Sequence, residues 1–287
     1  MTMKIKPLSD ALGAEVIGLN YTKPLKPHEI TTLKSNFLDY HLLCLRSKPL
    51  TPKQFYQLAS LFGTPFTETS RFQWDENVPQ ISRLDSSYKT KDSKPKTPKD
   101  SRLSGWHTDH SFKKFPPKAT LLHSHQVPSK AGQTRFCNTE KSYQDLPEKI
   151  KLRLNGLKAV HSYDTIRAPA RPPQRTRKEI AETPDVEHPL VRVHDETGNR
   201  ALYFNAGRTD RIVGLERKES DLLLDEIHEH ITQKKYRYDH NWSVGDVIIW
   251  DNRCLVHSVN VDYPVGESRI HLRTLLKGKR PSDQKQN

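Results

Sequence analysis

The chain has 287 residues, a formal net charge of +13, 33% hydrophobic residues and a mean hydropathy of −0.81. Its apolar residues still group into short runs such as Leu42-Leu43-Cys44-Leu45 and Val247-Ile248-Ile249-Trp250, which excludes a wholly disordered chain. No stretch approaches the length of a membrane span or resembles a signal peptide. Cys44, Cys137 and Cys254 lack the paired spacing of a disulfide framework or zinc site, so a reducing, cytoplasmic setting is expected.

Residues 3–20 read as two short strands around Gly13. Residues 27–41 read as a helix opened by Pro27, with Ile30, Leu33, Phe37 and Leu38 at helical spacing. Leu42 to Leu45 read as a buried strand. Thr51 suits an N-cap and Pro52 a first turn, so a second helix carries Phe55, Leu58 and Leu61 and stops at Gly63. Two polar segments, 86–104 and 165–184, read as loops, either solvated linkers or lids over an active site; the first runs straight into His107, which favours a lid there. Residues 188–194 and 201–205 flank the turn Glu196-Thr-Gly-Asn and form a hairpin, 219–231 form a helix, Val244-Gly245-Asp246 turns into a strand at 247–250, and 269–276 close as a strand. There are no internal repeats. The pattern describes one domain over 1–287, a mostly β core with helical insertions and a short polar C-terminal tail, not a parallel α/β sheet.

The chemistry-bearing stretch is Gly105-Trp-His-Thr-Asp-His110. In an extended strand His107 and Asp109 point to one side and can grip one metal from a strand end. With a second imidazole from His257, in Trp250-Asp-Asn-Arg-Cys-Leu-Val-His, they form a two-histidine, one-carboxylate set that leaves one face of the ion open, as in non-heme iron oxygenases. Of the 14 histidines, His28, His41, His228, His230 and His240 read as surface or packing residues.

Gly13-Ala-Glu-Val-Ile-Gly, Leu45-Arg46, Leu50-Thr51-Pro52, Trp106-His-Thr-Asp, Pro128 to Thr134, His188-Pro-Leu-Val-Arg and Trp250-Asp-Asn-Arg through Arg273 span nearly the whole chain. In these stretches it resembles the TauD/TfdA family of Fe(II)- and 2-oxoglutarate-dependent dioxygenases. The resemblance implies a double-stranded β-helix core (jelly-roll, cupin-like) and a homodimer or homotetramer. It implies iron on His107, Asp109 and His257, with O2 as oxidant, and 2-oxoglutarate held at its distal carboxylate by Arg269 and Thr134, yielding succinate and CO2. Arg273 matches an arginine that contacts the substrate's anionic group or the co-substrate region. A planar guanidinium gives the two-point carboxylate recognition that lysine cannot, and Arg269, His271 and Arg273 share one face of a strand.

Other neighbours stay open at this level. Asp251, Asn252 and Arg253 shape the turn before His257. His110 lines the substrate pocket and Trp106 packs beside it. Tyr203 and Asn205 face either pocket or core, and His271 points inward or simply packs. The chain departs from the taurine-specific pattern at Thr67-Glu-Thr-Ser-Arg-Phe-Gln-Trp74, which lacks the histidine expected there, so taurine is in doubt and Arg71 and Trp74 are substrate candidates. The retained Asp109 implies hydroxylation or desaturation over halogenation. The expected substrate is a small anionic organic molecule. The alternative within the class is an aromatic amino-acid or isonitrile derivative, suggested by Phe72 and Trp74. The charge of +13 raises a nucleic-acid partner, but the basic residues are dispersed and no recognition motif accompanies them. Neither nucleic acid nor membrane is expected as a partner.

Overall fold

The computed structural model describes residues 3–68, 73–97, 100, 105–168 and 174–285, with Gln73 and Trp74 described by backbone alone. The elements run β1 (Lys4–Pro7), β2 (Ala14–Ile17), α1 (Pro27–Tyr40), β3 (Leu42–Leu45), α2 (Pro52–Ser60), β4 (Pro65–Phe66), β5 (Gln73–Trp74), β6 (Ser82–Asp85), β7 (Ala119–Gln126) and β8 (Thr134–Asn138). They continue α3 (Thr139–Gln144), α4 (Glu148–Leu154), β9 (Lys158–His161), α5 (Arg177–Glu182), β10 (Val186–Pro189), β11 (Val191–Val193), β12 (Arg200–Leu202), β13 (Thr209–Ile212), α6 (Arg217–Ile231), β14 (Arg237–His240), β15 (Val247–Asp251), β16 (Leu255–Val259) and β17 (Ile270–Leu276).

A nine-stranded sheet has the order β1-β2-β3-β15-β7-β17-β6-β5, with β4 on β17; facing it is the three-stranded sheet β14-β8-β16. Alternation along the central strands explains the layering. Val247 and Ile249 of β15, Leu121 of β7 and Leu272 of β17 bury against Leu33 and Phe37 of α1 and Phe55 and Leu58 of α2. Ile248 and Trp250 of the same β15 point the other way and meet Phe136 of β8 and Leu255 of β16. Leu223, Leu224 and Ile227 of α6 cover the far side of the small sheet at Cys137 and Val256. The molecule is therefore a mostly β jelly roll with a helix layer outside each sheet, and its interior is the space between the sheets.

The expected helices and strands are found, with corrections at their ends. The second helix stops at Ser60, before Gly63; the Thr51 hydroxyl accepts from Gln54 N at 3.3 Å and the Gln54 side chain accepts from Thr51 N at 2.9 Å, a reciprocal cap. The 165–184 segment is not loop throughout: Thr176 and Glu179 make the same kind of box and start α5. The surrounding Pro and Arg obscured that Thr-x-x-Glu signal. The 86–104 segment, of which 98–99 and 101–104 lie outside the described residues, carries no strand in its described part and contains a 3-10 turn at Lys91–Ser93. His107 and Asp109 do not share a strand. His107 forms an isolated antiparallel bridge with His257, and Asp109 lies in the turn that follows. No helix among the described residues is long and apolar enough to cross a membrane.

Gly245 opens β15 at φ +93°, and a Cβ there would stand 2.1 Å from the Ser47 carbonyl oxygen. Both the left-handed backbone and the backbone–backbone approach exclude a side chain. Gly245→Ala is expected to cost upward of about 2 kcal/mol of stability, read by urea unfolding against the parent protein.

Candidate active site

The site is built on one backbone contact. His107 N donates to His257 O at 2.9 Å, and His257 N donates to His107 O at 2.7 Å. Residues paired in this way put their side chains on one side of the ladder, and the two rings lie 4.1 Å apart between centroids. Asp109 reaches the same point, its Oδ2 4.0 Å from His257 Nε2. The ligand atoms of His107, Asp109 and His257 all lie within 4.8 Å of one another.

Electrostatics suit these three groups to a cation. Burial, and next the facing His107, push His257 down to about 3, and burial likewise lowers His107, so both rings are neutral with a lone pair free. His107 Nδ1 lies 2.7 Å from Gly105 O, which fixes the N–H on that nitrogen and leaves Nε2 as the acceptor. Burial alone would raise the Asp109 carboxyl, but His257, Arg273 and His107 outweigh it and hold Asp109 below the usual carboxylate range.

Asp109 is oriented by a chain of partners. Thr120 Oγ1 of β7 donates to Asp109 Oδ2 at 2.6 Å and itself accepts from Asn252 Nδ2 at 2.8 Å. Asn252 Oδ1 is held by Trp250 Nε1 at 3.0 Å, while Asn205 Nδ2 donates to Thr108 O at 2.8 Å. Asp251 and Arg253 are structural: the guanidinium grips Asp251 at 2.8 and 2.6 Å and Asp195 at 3.0 Å, locking the turn before β16. Tyr203 is buried in the core beside Arg192, and Trp106 packs partly buried on the α6 side with Arg135 over its ring.

Arg269 precedes β17 and is 1% exposed. Its donors reach only neutral acceptors: Gly132 O at 3.2 Å, Ser86 Oγ at 3.0 Å and Thr134 Oγ1 at 3.3 Å. Tyr263 lies under the guanidinium at 5.8 Å and stacks on Tyr88 at 4.4 Å. No carboxylate among the described residues pairs with Arg269, and burial pulls it down to about 10, still cationic at neutral pH. An uncompensated buried cation costs several kcal/mol, a cost that an incoming anion would relieve. Thr134, next to it, also accepts from Trp242 Nε1 at 3.0 Å.

Arg273 is different. Its Nη2 meets Glu68 Oε2 at 2.5 Å, and the same oxygen lies 3.7 Å from His110 Nε2. His110 sits at φ +50° and burial pushes it down to about 4, so it is neutral beside Asp109.

The family described as "Taurine catabolism dioxygenase TauD, TfdA family" matches residues 4–276. The chain belongs to this family. It is 31% identical over 96% of its length to the alkylsulfatase of Acinetobacter baylyi, covering 85% of that protein. It is 29% identical over 90% to the alpha-ketoglutarate-dependent 2,4-dichlorophenoxyacetate dioxygenase of Cupriavidus pinatubonensis, covering 92%. Among solved structures, a taurine dioxygenase from Burkholderia xenovorans superposes with a TM-score of 0.82 at 29% identity over 97% of this chain and 90% of that one. AAD-2 in complex with Mn(II) and N-oxalylglycine superposes with a TM-score of 0.81 at 26% identity, over 98% and 99%.

Within this TauD/TfdA dioxygenase, the structure gathers His107, Asp109, His257, His110 and Arg273 at one place and Arg269 with Thr134 at another end of the same interior. Arg71 lies outside the described residues, as do Phe72 and the Trp74 side chain, so the aromatic-derivative reading has no described side chain behind it. His271 does point inward, with Trp242 4.5 Å away. Sequence reasoning missed Glu68, Thr120, Ser86, Tyr88 and Tyr263. Glu68 sits in the very stretch noted for lacking a histidine, so that substitution was its signal; the others gave none, because hydroxyls and stacked rings acquire partners only through the fold.

Thr120→Val removes the donor to Asp109 and the acceptor for Asn252 while keeping the shape. It is expected to cost about 1–3 kcal/mol in chemical unfolding with the far-ultraviolet spectrum unchanged.

Proposed function

We propose that this dioxygenase uses Fe(II), 2-oxoglutarate and O2 to oxidise a small anionic organic molecule, with His107, Asp109 and His257 holding the iron and Arg269 and Thr134 holding the distal carboxylate of 2-oxoglutarate. The observation that carries the reading is the buried Arg269, which pairs with no carboxylate among the described residues, in the same interior as the His/Asp/His trio. The donor set fits the ion: two neutral imidazoles and one carboxylate suit Fe(II) and leave positions open. N-oxalylglycine, bound by a structural relative, is 2-oxoglutarate with a methylene replaced by NH, and its carboxylates stand for those of the co-substrate. Relatives named for alkyl sulfates, sulfate esters and phenoxyacetates support an anionic substrate.

Bound iron with 2-oxoglutarate and O2 supplies the oxidising power to take hydrogen from a substrate C–H bond, releasing succinate and CO2. The chain supplies geometry and charge. Thr120 holds the Asp109 carboxylate in one orientation, and the Gly105 carbonyl holds the His107 ring. Trp250 and Phe136, whose rings lie 4.8 and 6.1 Å from the His257 ring and 5.4 Å from each other, pack beside it and shield it from water. Asp109 occupies the position a halide would need, which favours hydroxylation or desaturation.

Two measurements test the assignment. His107→Ala is expected to abolish iron-dependent succinate formation. Arg269→Lys, which keeps the charge but loses the planar fork, is expected to raise KM for 2-oxoglutarate roughly tenfold or more with the protein folded. Unchanged kinetics in either would remove that residue from its role.

Protons compete with metal for histidine lone pairs. A histidine at its ordinary 6.5 would start losing metal as the pH drops past that value; with His257 down at about 3, competition begins only in much stronger acid. With His107 lowered as well, the loss of Mn(II) affinity, titrated calorimetrically, is therefore expected to set in below pH 6.5 and not at it. A decline setting in at 6.5 would contradict the depressed imidazole.

A further inference from the structure

Glu68 is 2% exposed and stands beside the metal trio, not on the surface. One oxygen neutralises Arg273 at 2.5 Å, while the other, Oε1, is buried and has no hydrogen-bond donor. A buried carboxylate oxygen left without a donor is costly, and nothing in the metal site or the Arg269 cradle uses it. It also blunts the guanidinium expected to attract the substrate's anion. With iron and 2-oxoglutarate in place, the metal, Arg269 and Arg273 would stand against Asp109, Glu68 and the co-substrate dianion, with Lys113 also facing Glu68. A plain anion would place a second negative charge beside Glu68, whereas a molecule bearing one negative and one positive group would add no net charge there.

We propose that Glu68 and Arg273 form a split-charge clamp selecting a substrate that carries a protonated amine as well as an anionic group, the anion meeting Arg273 and the amine meeting Glu68 Oε1. This rests on the proposed Fe(II)/2-oxoglutarate reading and narrows its substrate class from anions to zwitterions. Glu68 is then a specificity residue, in the stretch that lacks the histidine of the taurine-specific pattern.

The test uses two matched pairs that differ only by the amine: β-alanine against propanoate, and taurine against ethanesulfonate. Each is titrated calorimetrically, without oxygen, into the protein loaded with iron and 2-oxoglutarate. The amine-bearing member of each pair should bind roughly tenfold tighter or more, and Glu68→Gln should erase the preference while the plain anions gain at least several-fold, because Arg273 is released. Equal or tighter binding of the plain anions to the parent protein overturns the clamp, as does failure of both amine-bearing probes to bind. A parallel loss for all four probes in Glu68→Gln also overturns it, making Glu68 a strut for Arg273. The parent-protein comparison stands even if the variant does not fold. Titration of 2-oxoglutarate alone into the Mn(II)-loaded protein separates the two levels: if it binds and the preference is absent, only the clamp fails; if it does not bind, the underlying reading fails.

Discussion

Two backbone hydrogen bonds between His107 and His257 hold the functional interior together. Among the described residues they form the one bridge of the segment around His107, and they tie it to the edge of the small sheet at β16. A one-residue slip would turn both imidazoles away, since side chains alternate faces. The contact is fixed from three directions: by the Asn205 amide on the Thr108 carbonyl, by the Thr108 hydroxyl on the Asn252 carbonyl at 2.7 Å, and by the Asp251–Arg253 lock at the start of β16. The rigidity of the site comes from polar contacts, because the space between the sheets has to stay open to ligands and cannot be packed with side chains.

The buried charges divide by how they are compensated. Arg253 is saturated by Asp251, Asp195 and Glu196, and its role is to hold a turn. Arg273 is paired directly with Glu68 and also faces Asp109. Arg269 is matched by none among the described residues and is supported by hydroxyls, a carbonyl and a ring. The series runs from closed to open, and the degree of closure separates scaffold from site more sharply than burial does, since all three are shielded from solvent.

Much of this was legible in the chain. Periodicity located α1, α2, α6, β3, β15 and β17 because each buries one face against a neighbour, and apolar spacing records that directly. The spacing of His107, Asp109 and His257 and their resemblance to known dioxygenases marked the trio before any coordinates. Two things were hidden. Extended geometry for His107 and Asp109 is a reasonable reading of a His-x-Asp pair, but the chain turns at Asp109, and it is tertiary bonds to Asn252 and Thr120 that aim the carboxylate. Glu68 was visible only as an absent histidine; its partnership with Arg273 joins positions 205 residues apart.

The Ser86–Arg269 contact couples two regions otherwise separate in the chain. Ser86 and Ser87 each bond Arg269, and Tyr88 reaches it through Tyr263, so the start of the polar segment before His107 is fastened to the guanidinium. A carboxylate bound at Arg269 as proposed would meet these same residues. Thermodynamic linkage then makes the two events reciprocal: whatever factor the ordered segment contributes to carboxylate affinity, the bound carboxylate returns to the order of the segment. An anion held by Arg269 and the local fold of Ser86 to Tyr88 would therefore stabilise each other by the same free energy.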